Sequence, residues 1–252
     1  MDDTFAVTIV CIVLVTMVAA FIRRVQRDKC LKDFANNTIT LEQKTSKITW
    51  GRLNVENTGL EFVYTDVHKD TQGHDETTFL LYKNEFPTIQ TMIRFHHQLS
   101  DNARRLRDID LEQTYHPTSA RRLCRKTLNV FKTIRDSVLE VINLLITQAK
   151  KATPAGAVLS QQDKYVSQMK QELVGSAGTS YEPLLEKYIG CKVVVEIAKA
   201  DKILEYPGVL KEYTAEFLEV MDVNYKLDDA DEPAKADIIV PRANATVRHL
   251  AE

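Results

Sequence analysis

"LEKYIGCKVVVEIAKADKILEYPGVLKEYTAEFLEVMDV", Leu185 to Val223, is the stretch from which the fold is read. Pro183 just before it opens a short helical turn, and Gly190 ends that turn. In "KVVVEI", Val193, Val195 and Ile197 point one way and Val194 and Glu196 the other, which is a strand with one face on a core. Pro207-Gly208 restarts the chain. Val209 to Tyr213, Glu216 to Asp222, "DIIVPR" and "ATVRHL" are four further strand candidates. One short helix followed by five short strands is the content of a small closed β-barrel.

On the N-terminal side, "TFAVTIVCIVLVTMVAAFI", Thr4 to Ile22, is 19 residues without a charge. That length spans a bilayer as a helix, and Arg23, Arg24, Arg27, Lys29 and Lys32 follow it. The expectation is a single uncleaved transmembrane anchor, with the N-terminus outside and the body in the cytoplasm. Four cysteines (Cys11, Cys30, Cys124, Cys191) with no paired spacing fit reduced thiols in that compartment. Ile48 to Val55 and Leu60 to Thr65, with Asn57-Thr58-Gly59 between them, read as a hairpin, and Thr77 to Tyr82 as a third strand. From Pro87, the spacing of Ile89, Met92, Ile93, His96, Leu99, Ala103 and Leu106 predicts a helix to about residue 113. A second helix is predicted from Pro117 to about Lys151, and the two form an antiparallel hairpin.

The expected fold class is therefore α+β. Its parts are a transmembrane anchor with a basic juxtamembrane segment (1–32), a small β-element (33–86), a helical hairpin plus a short helix (87–174), a linker (175–181) and a small β-barrel (182–252).

The barrel segment resembles the Sm-like family. The family's first motif is matched by Leu184-Leu185, Ile189-Gly190, Val193, Val195, Ile197, Gly208, Leu210, Tyr213, Phe217, Leu218 and Val220. Its other motif is similar to "IIVPRANATVRHL", with Arg242 and Asn244 where the family has its Arg-Gly-Asn turn. The resemblance covers Pro183 to Leu250 and implies an SH3-like barrel whose edge strands join subunits. The loop "YTAEF" lacks the family's Asn and carries Glu216, and Ala243 replaces the motif glycine, which counts against an RNA site. There is also an internal echo: "WGRLNVENTGLEFVYTD" and "YPGVLKEYTAEFLEVMD" share Gly-x-Leu, then Thr, then Glu-Phe. Two readings stand, a second barrel-like unit or convergent hairpin chemistry.

The net charge of -2 makes no whole-chain case for nucleic acid, but its distribution is uneven. Arg94 to Arg135 holds ten Lys/Arg against four Asp/Glu, and Lys211 to Asp237 three against nine. Arg104, Arg105, Arg107, Arg121, Arg122, Arg125 and Lys126 form a basic cluster suited to anionic lipid headgroups, nucleic acid or an acidic protein partner. The bland alternative is a solvated helix end. No phosphate-binding or nucleophile-elbow motif is present. His96 and His97 are adjacent and cannot chelate together, and the Asp- and Glu-rich loop around His68 and His74 has no calcium-loop spacing. Cys124 lies among cations without a readable base.

The sequence thus predicts no enzyme, no cofactor and no metal. It predicts a membrane-anchored scaffold that forms homo-oligomers through Tyr213, Phe217, Val220 and the edge Ala245, Thr246, Val247, Arg248 and His249. The alternatives are a tethered RNA-binding module using Arg242 and Asn244, and a subunit of a channel-like membrane assembly.

Overall fold

The computed structural model describes residues 28–69, 73–115, 182–200, 202–227 and 232–251. They form a ten-stranded sheet in which every pairing is antiparallel. Helix α1 (Lys29–Phe34) leads into β1 (Thr38–Gln43), β2 (Ile48–Val55), β3 (Gly59–Lys69), β4 (Asp75–Tyr82) and β5 (Ile89–Phe95). Helix α2 is Asp101–Tyr115. Helix α3 (Pro183–Lys187) then leads into β6 (Lys192–Lys199), β7 (Lys202–Tyr213), β8 (Phe217–Tyr225), β9 (Ala234–Pro241) and β10 (Ala245–Leu250). The spatial order is β10-β6-β7-β8-β9-β5-β1-β2-β3-β4.

That order is one pattern written twice: a short helix, then five strands with the last folded back beside the first. The backbone repeats it bond for bond. Left-handed residues follow both helices, Asn36 at φ 64° and Gly190 at φ 78°. Asn36 N–H donates to Leu53 O at 2.7 Å and Gly190 N–H to Leu210 O at 2.8 Å; Leu53 N–H donates to Asn37 O and Leu210 N–H to Cys191 O. Ile39 stands opposite Gly51, and Val193 opposite Gly208. The internal echo in the sequence therefore marks two structurally equivalent second strands, β2 and β7.

Both glycines are needed because the third strand crosses too closely for a side chain. A Cβ on Gly51 would lie 2.7 Å from Val63 O, and one on Gly208 2.6 Å from Val223 Cγ1 and 2.7 Å from Met221 O. Register shifts in β7–β8, β8–β9 and β10–β6 bend the C-terminal half around its core. Gly208→Ala is expected to cost about 1–3 kcal/mol by overpacking this crossing. The urea midpoint measures it, and a loss below about 0.5 kcal/mol would mean the strands separate freely.

Each half has its own core. Leu31, Phe34, Ile39, Leu41, Leu53, Phe62 and Leu81 fill the first; Val193, Val195, Leu210, Val220, Ile238 and Val240 fill the second. At the junction the cores interleave. On β5, Met92 enters the first core while Ile93 and Phe95 enter the second; on β9, Ile239 enters the first and Ile238 the second.

The expected α+β architecture is corrected. The described residues are mostly β-sheet with few helices, and no helical hairpin begins at Pro87. Pro87 lies inside a 3-10 segment, Lys83–Thr88, and Ile89–Phe95 is a strand buried at every position. A strand with both faces covered reads as a continuous apolar run, and its residues mimicked helical spacing. Only the end of the predicted helix is helical, as α2, and its face is inverted: Leu106 and Ile109 are exposed while Arg107 is buried. The second predicted helix, the short helix and the linker lie outside the described residues.

Among the described residues no helix is long and apolar enough to cross a membrane. Thr4 to Ile22, on which the anchor rested, lies outside them. The single-pass membrane scaffold, the channel-like alternative and the assignment of an outside N-terminus with a cytoplasmic body are accordingly not retained.

Candidate functional site

The most elaborate chemistry lies where β5 meets β9, the strand pair that joins the two halves. The register is Met92↔Ile239, Ile93↔Ile238, Arg94↔Asp237 and Phe95↔Ala236. Asp237 is fully buried, on the face of β9 that turns toward the first half. It is also the acceptor for both flanking arginines. Arg94 Nη2 donates to Asp237 Oδ2 at 2.9 Å, and Arg107 Nη2, from α2, to Oδ1 at 2.7 Å with its Nε 3.0 Å from Oδ2. His96 Nε2 lies 3.1 Å from Oδ1, and Asp222 N–H donates to the same oxygen at 2.9 Å. Burial alone would raise the Asp237 pKa. The hydrogen bonds from His96 and Arg107 and the charges of Arg94 and Arg107 outweigh it and hold the carboxyl well below the ordinary aspartate range.

The arginines are supported in turn. Arg94 stacks on the Phe34 ring at 4.4 Å and its Nη1 donates to Asp33 O at 3.3 Å, which ties the junction to α1. A second ionic cluster lies beside it. Lys211 Nζ of β7 approaches Asp33 Oδ2 at 2.6 Å and Glu219 Oε1 at 3.1 Å, and it also pairs with Asp110 of α2. Burial pushes the Glu219 carboxyl well up, against the pull of the Lys211 charge, and the neighbouring Asp33 acts in the same direction as burial. Burial would raise Asp33 as well, but the bond from Glu219 and the Lys211 charge bring it below its usual value.

A third contact crosses from β1. Glu42, 3% exposed, accepts from Tyr225 OH at 2.7 Å and pairs with Lys199 Nζ at 2.6 Å. Tyr225 stacks on Tyr206 at 4.9 Å. Apolar closure comes from Phe217, a β8 residue that enters the first core and meets Phe86 edge-on at 5.9 Å.

This arrangement holds the two halves together. The charged groups face one another in ion pairs, with Lys211 Nζ and Glu219 Oε1 buried and without a hydrogen bond among the described residues. Among the described residues no group of His, Cys, Asp and Glu could hold a metal ion. Cys30 is buried, and burial pushes its thiol well above the usual value, away from the reactive thiolate; Cys191 is exposed.

The residues singled out from sequence fall as follows. Tyr213, Phe217 and Val220 are buried, so none of them lies on an open edge; Phe217 alone lies between the halves. Ala245, Thr246, Val247, Arg248 and His249 do form an edge, because β10 pairs only with β6 among the described strands. Arg107, counted in a surface basic cluster, is 8% exposed and bound to Asp237. Arg104 donates to His96 O at 2.9 Å. Arg121, Arg122, Arg125, Lys126 and Cys124 lie outside the described residues. Arg242 pairs with Glu182 and donates to Thr214 O, and Asn244 donates to Ile89 O at 3.1 Å, so both RNA candidates serve as internal ties. His96 turns to Asp237, whereas His97 is exposed.

Sequence reasoning missed Asp237 and Arg94. The available signal was a lone carboxylate in the apolar run "DIIVP" and a lone cation in "TMIRF", two opposite charges in strands that bury both faces.

No family model, curated protein or solved structure matches this chain.

Proposed function

We propose that this chain is a non-catalytic assembly module, made of two units similar to the Sm-like family, that joins to further copies of itself through its outer sheet edges. One observation carries the reading: the two halves of the chain are already joined by pairing the fifth strand of one unit with the fourth strand of the other. The same two strand types, β4 and β10, stand at the ends of the sheet, each with one partner among the described strands. Chain-to-chain pairing of β4 with β10 would repeat the internal β9–β5 contact.

The edges have the surface such a contact needs. Leu80 and Tyr82 on β4 are 50% and 56% exposed, and Leu250 on β10 is 55% exposed. The counterparts of Leu80 and Tyr82 at the internal junction, Ile239 and Pro241, are buried. Edges of this kind draw another strand unless they are covered or blunted. A contact between two different edges is head-to-tail, and so it extends an assembly beyond a pair.

Val247→Pro tests this directly. Ala198 N–H donates to Asn244 O, and bonded and non-bonded pairs alternate along the antiparallel ladder. Thr246 is therefore the bonded position against β6, and the Val247 N–H points outward. Proline there removes a donor to a neighbour and leaves the β6 pairing in place. Light scattering on the wild type is expected to show assemblies larger than one chain, and Val247→Pro or Leu80→Lys to weaken association at least about tenfold. A wild type that stays monomeric at high concentration overturns the proposal.

A further inference from the structure

The assembly reading leaves a question of partner choice. Each chain carries two strands of each pairing type, β4 and β9 of one and β5 and β10 of the other. What prevents β9 from accepting a β10 of another chain in place of its own β5? The answer lies in one pair of positions. Superposing the two halves by register, Ile39 falls on Val193, so Arg94, next to Ile93 on β5, corresponds to Leu250, next to His249 on β10. On the other side, Leu53 falls on Leu210, Phe62 on Val220 and Phe79 on Ile238, so Thr78 corresponds to Asp237.

We infer that the chain-to-chain contact has the register of the internal one, with Leu250 of one copy opposite Thr78 of the next, and that Arg94 opposite Asp237 is the key that keeps the two kinds of junction apart. The inference rests on the assembly reading above and adds register and specificity to it. The internal pair is ionic and buried, with Arg107 and His96 completing it. The outer pair is neutral.

Exchange between the two is penalised in both directions. Setting β10 against β9 places Leu250 opposite Asp237 and leaves a buried carboxylate without Arg94. Setting β4 against β5 places Thr78 opposite Arg94 and takes Asp237 from a buried guanidinium, leaving it only the longer contact to Asp33 at 3.4 Å. A buried charge deprived of its partner is far costlier than an unmade pairing between neutral side chains. This is specificity obtained by making the wrong pairing unfavourable. A slipped register fails for the same reason, because a shift by one residue turns each charge to the opposite face of the sheet.

Thr78 and Leu250 are both exposed in the single chain, so charges placed there do not disturb the fold. The experiment uses three full-length chains: wild type, Thr78→Asp and Leu250→Arg. Association is measured by analytical ultracentrifugation, each chain alone and the two variants mixed. Each variant alone is expected to associate at least about tenfold more weakly than wild type, because its new charge enters the contact unpaired. An equimolar mixture is expected to recover to within about threefold of wild type, because the new carboxylate and the new guanidinium then face each other in the register that Asp237 and Arg94 occupy internally. A mixture no tighter than its components, with wild type associating normally, overturns the register and leaves assembly standing. Variants that associate as well as wild type also overturn it. A monomeric wild type instead removes the assembly reading itself.

Discussion

Asp237→Asn is expected to destabilise the fold by about 3–5 kcal/mol, because it removes the one carboxylate that neutralises Arg94 and Arg107 together. The substitution keeps the shape of the side chain, so the loss reports charge and not a cavity. Both arginine side chains are nearly buried, at 6% and 7% exposure, and water cannot take over from the missing carboxylate. Equilibrium urea unfolding measures the effect. A loss below about 1 kcal/mol would mean that the arginines find other partners at little cost. The control is Asp75→Asn, whose carboxylate is largely exposed beside Lys69; its expected change is within about 0.5 kcal/mol.

The same substitution has a pH signature. Because the Asp237 pKa is lower in the fold than in the open chain, its stabilisation is fully present above about pH 4 and is lost as pH falls below that range. Asp33, also lowered, contributes in the same direction. Glu219 acts oppositely. Its raised pKa gives a contribution that is full in acid, below about pH 4, and is lost as pH rises through its folded value. The Asp237 contribution to wild-type stability is therefore lost in acid, and in Asp237→Asn the acid fall is expected to be shallower. An acid limb of unchanged slope would show that Asp237 does not govern it.

Phe217→Ala is the second large effect, with an expected loss of about 3–5 kcal/mol. Phe217 is 1% exposed and belongs by chain position to the C-terminal half, yet it fills the core of the N-terminal half against Phe86. Truncating it opens a cavity across the junction, so both halves should unfold in one transition at a lower midpoint. Phe217→Leu refills most of that volume and should cost about 1–2 kcal/mol. If Phe217→Ala lowers one of two separate transitions and leaves the other in place, the halves are not coupled through this ring. Differential scanning calorimetry separates the two outcomes.

Strand identity was legible wherever one face of a strand is wet. In β2 the strand itself is legible from its β-forming residues and the Asn57-Thr58-Gly59 turn after it, but its faces are not, because Ile48 and Trp50 lie outside while Thr49 and Gly51 lie inside. In β6 the alternation of Val193, Val195 and Ile197 is visible in the letters. It failed at β5, because a strand between two cores shows no alternation and its apolar run fits helical spacing equally well. It also missed β1, "TITLEQ", where Thr40 and Glu42 resemble a wet face but are covered by the other half. The Gly-x-Leu echo pointed to duplication; only the repeated hydrogen bonds of Asn36 and Gly190 distinguish common architecture from convergent hairpins.

The charged residues show the same division. Arg107 belongs to an Arg-rich helix whose composition reads as solvated surface, and nothing in its neighbours sets it apart. Its burial depends on Asp237, 130 residues away in the chain. The local elements of the C-terminal half follow from neighbouring residues, since turn glycines, a proline start and two-residue alternation act over short separations. That two such halves lie edge to edge, that β5 and β9 bury both faces, and which charges meet there emerge only in the folded chain. Those outcomes depend on pairing between distant segments, and desolvation of a charge is set by what the rest of the chain places over it.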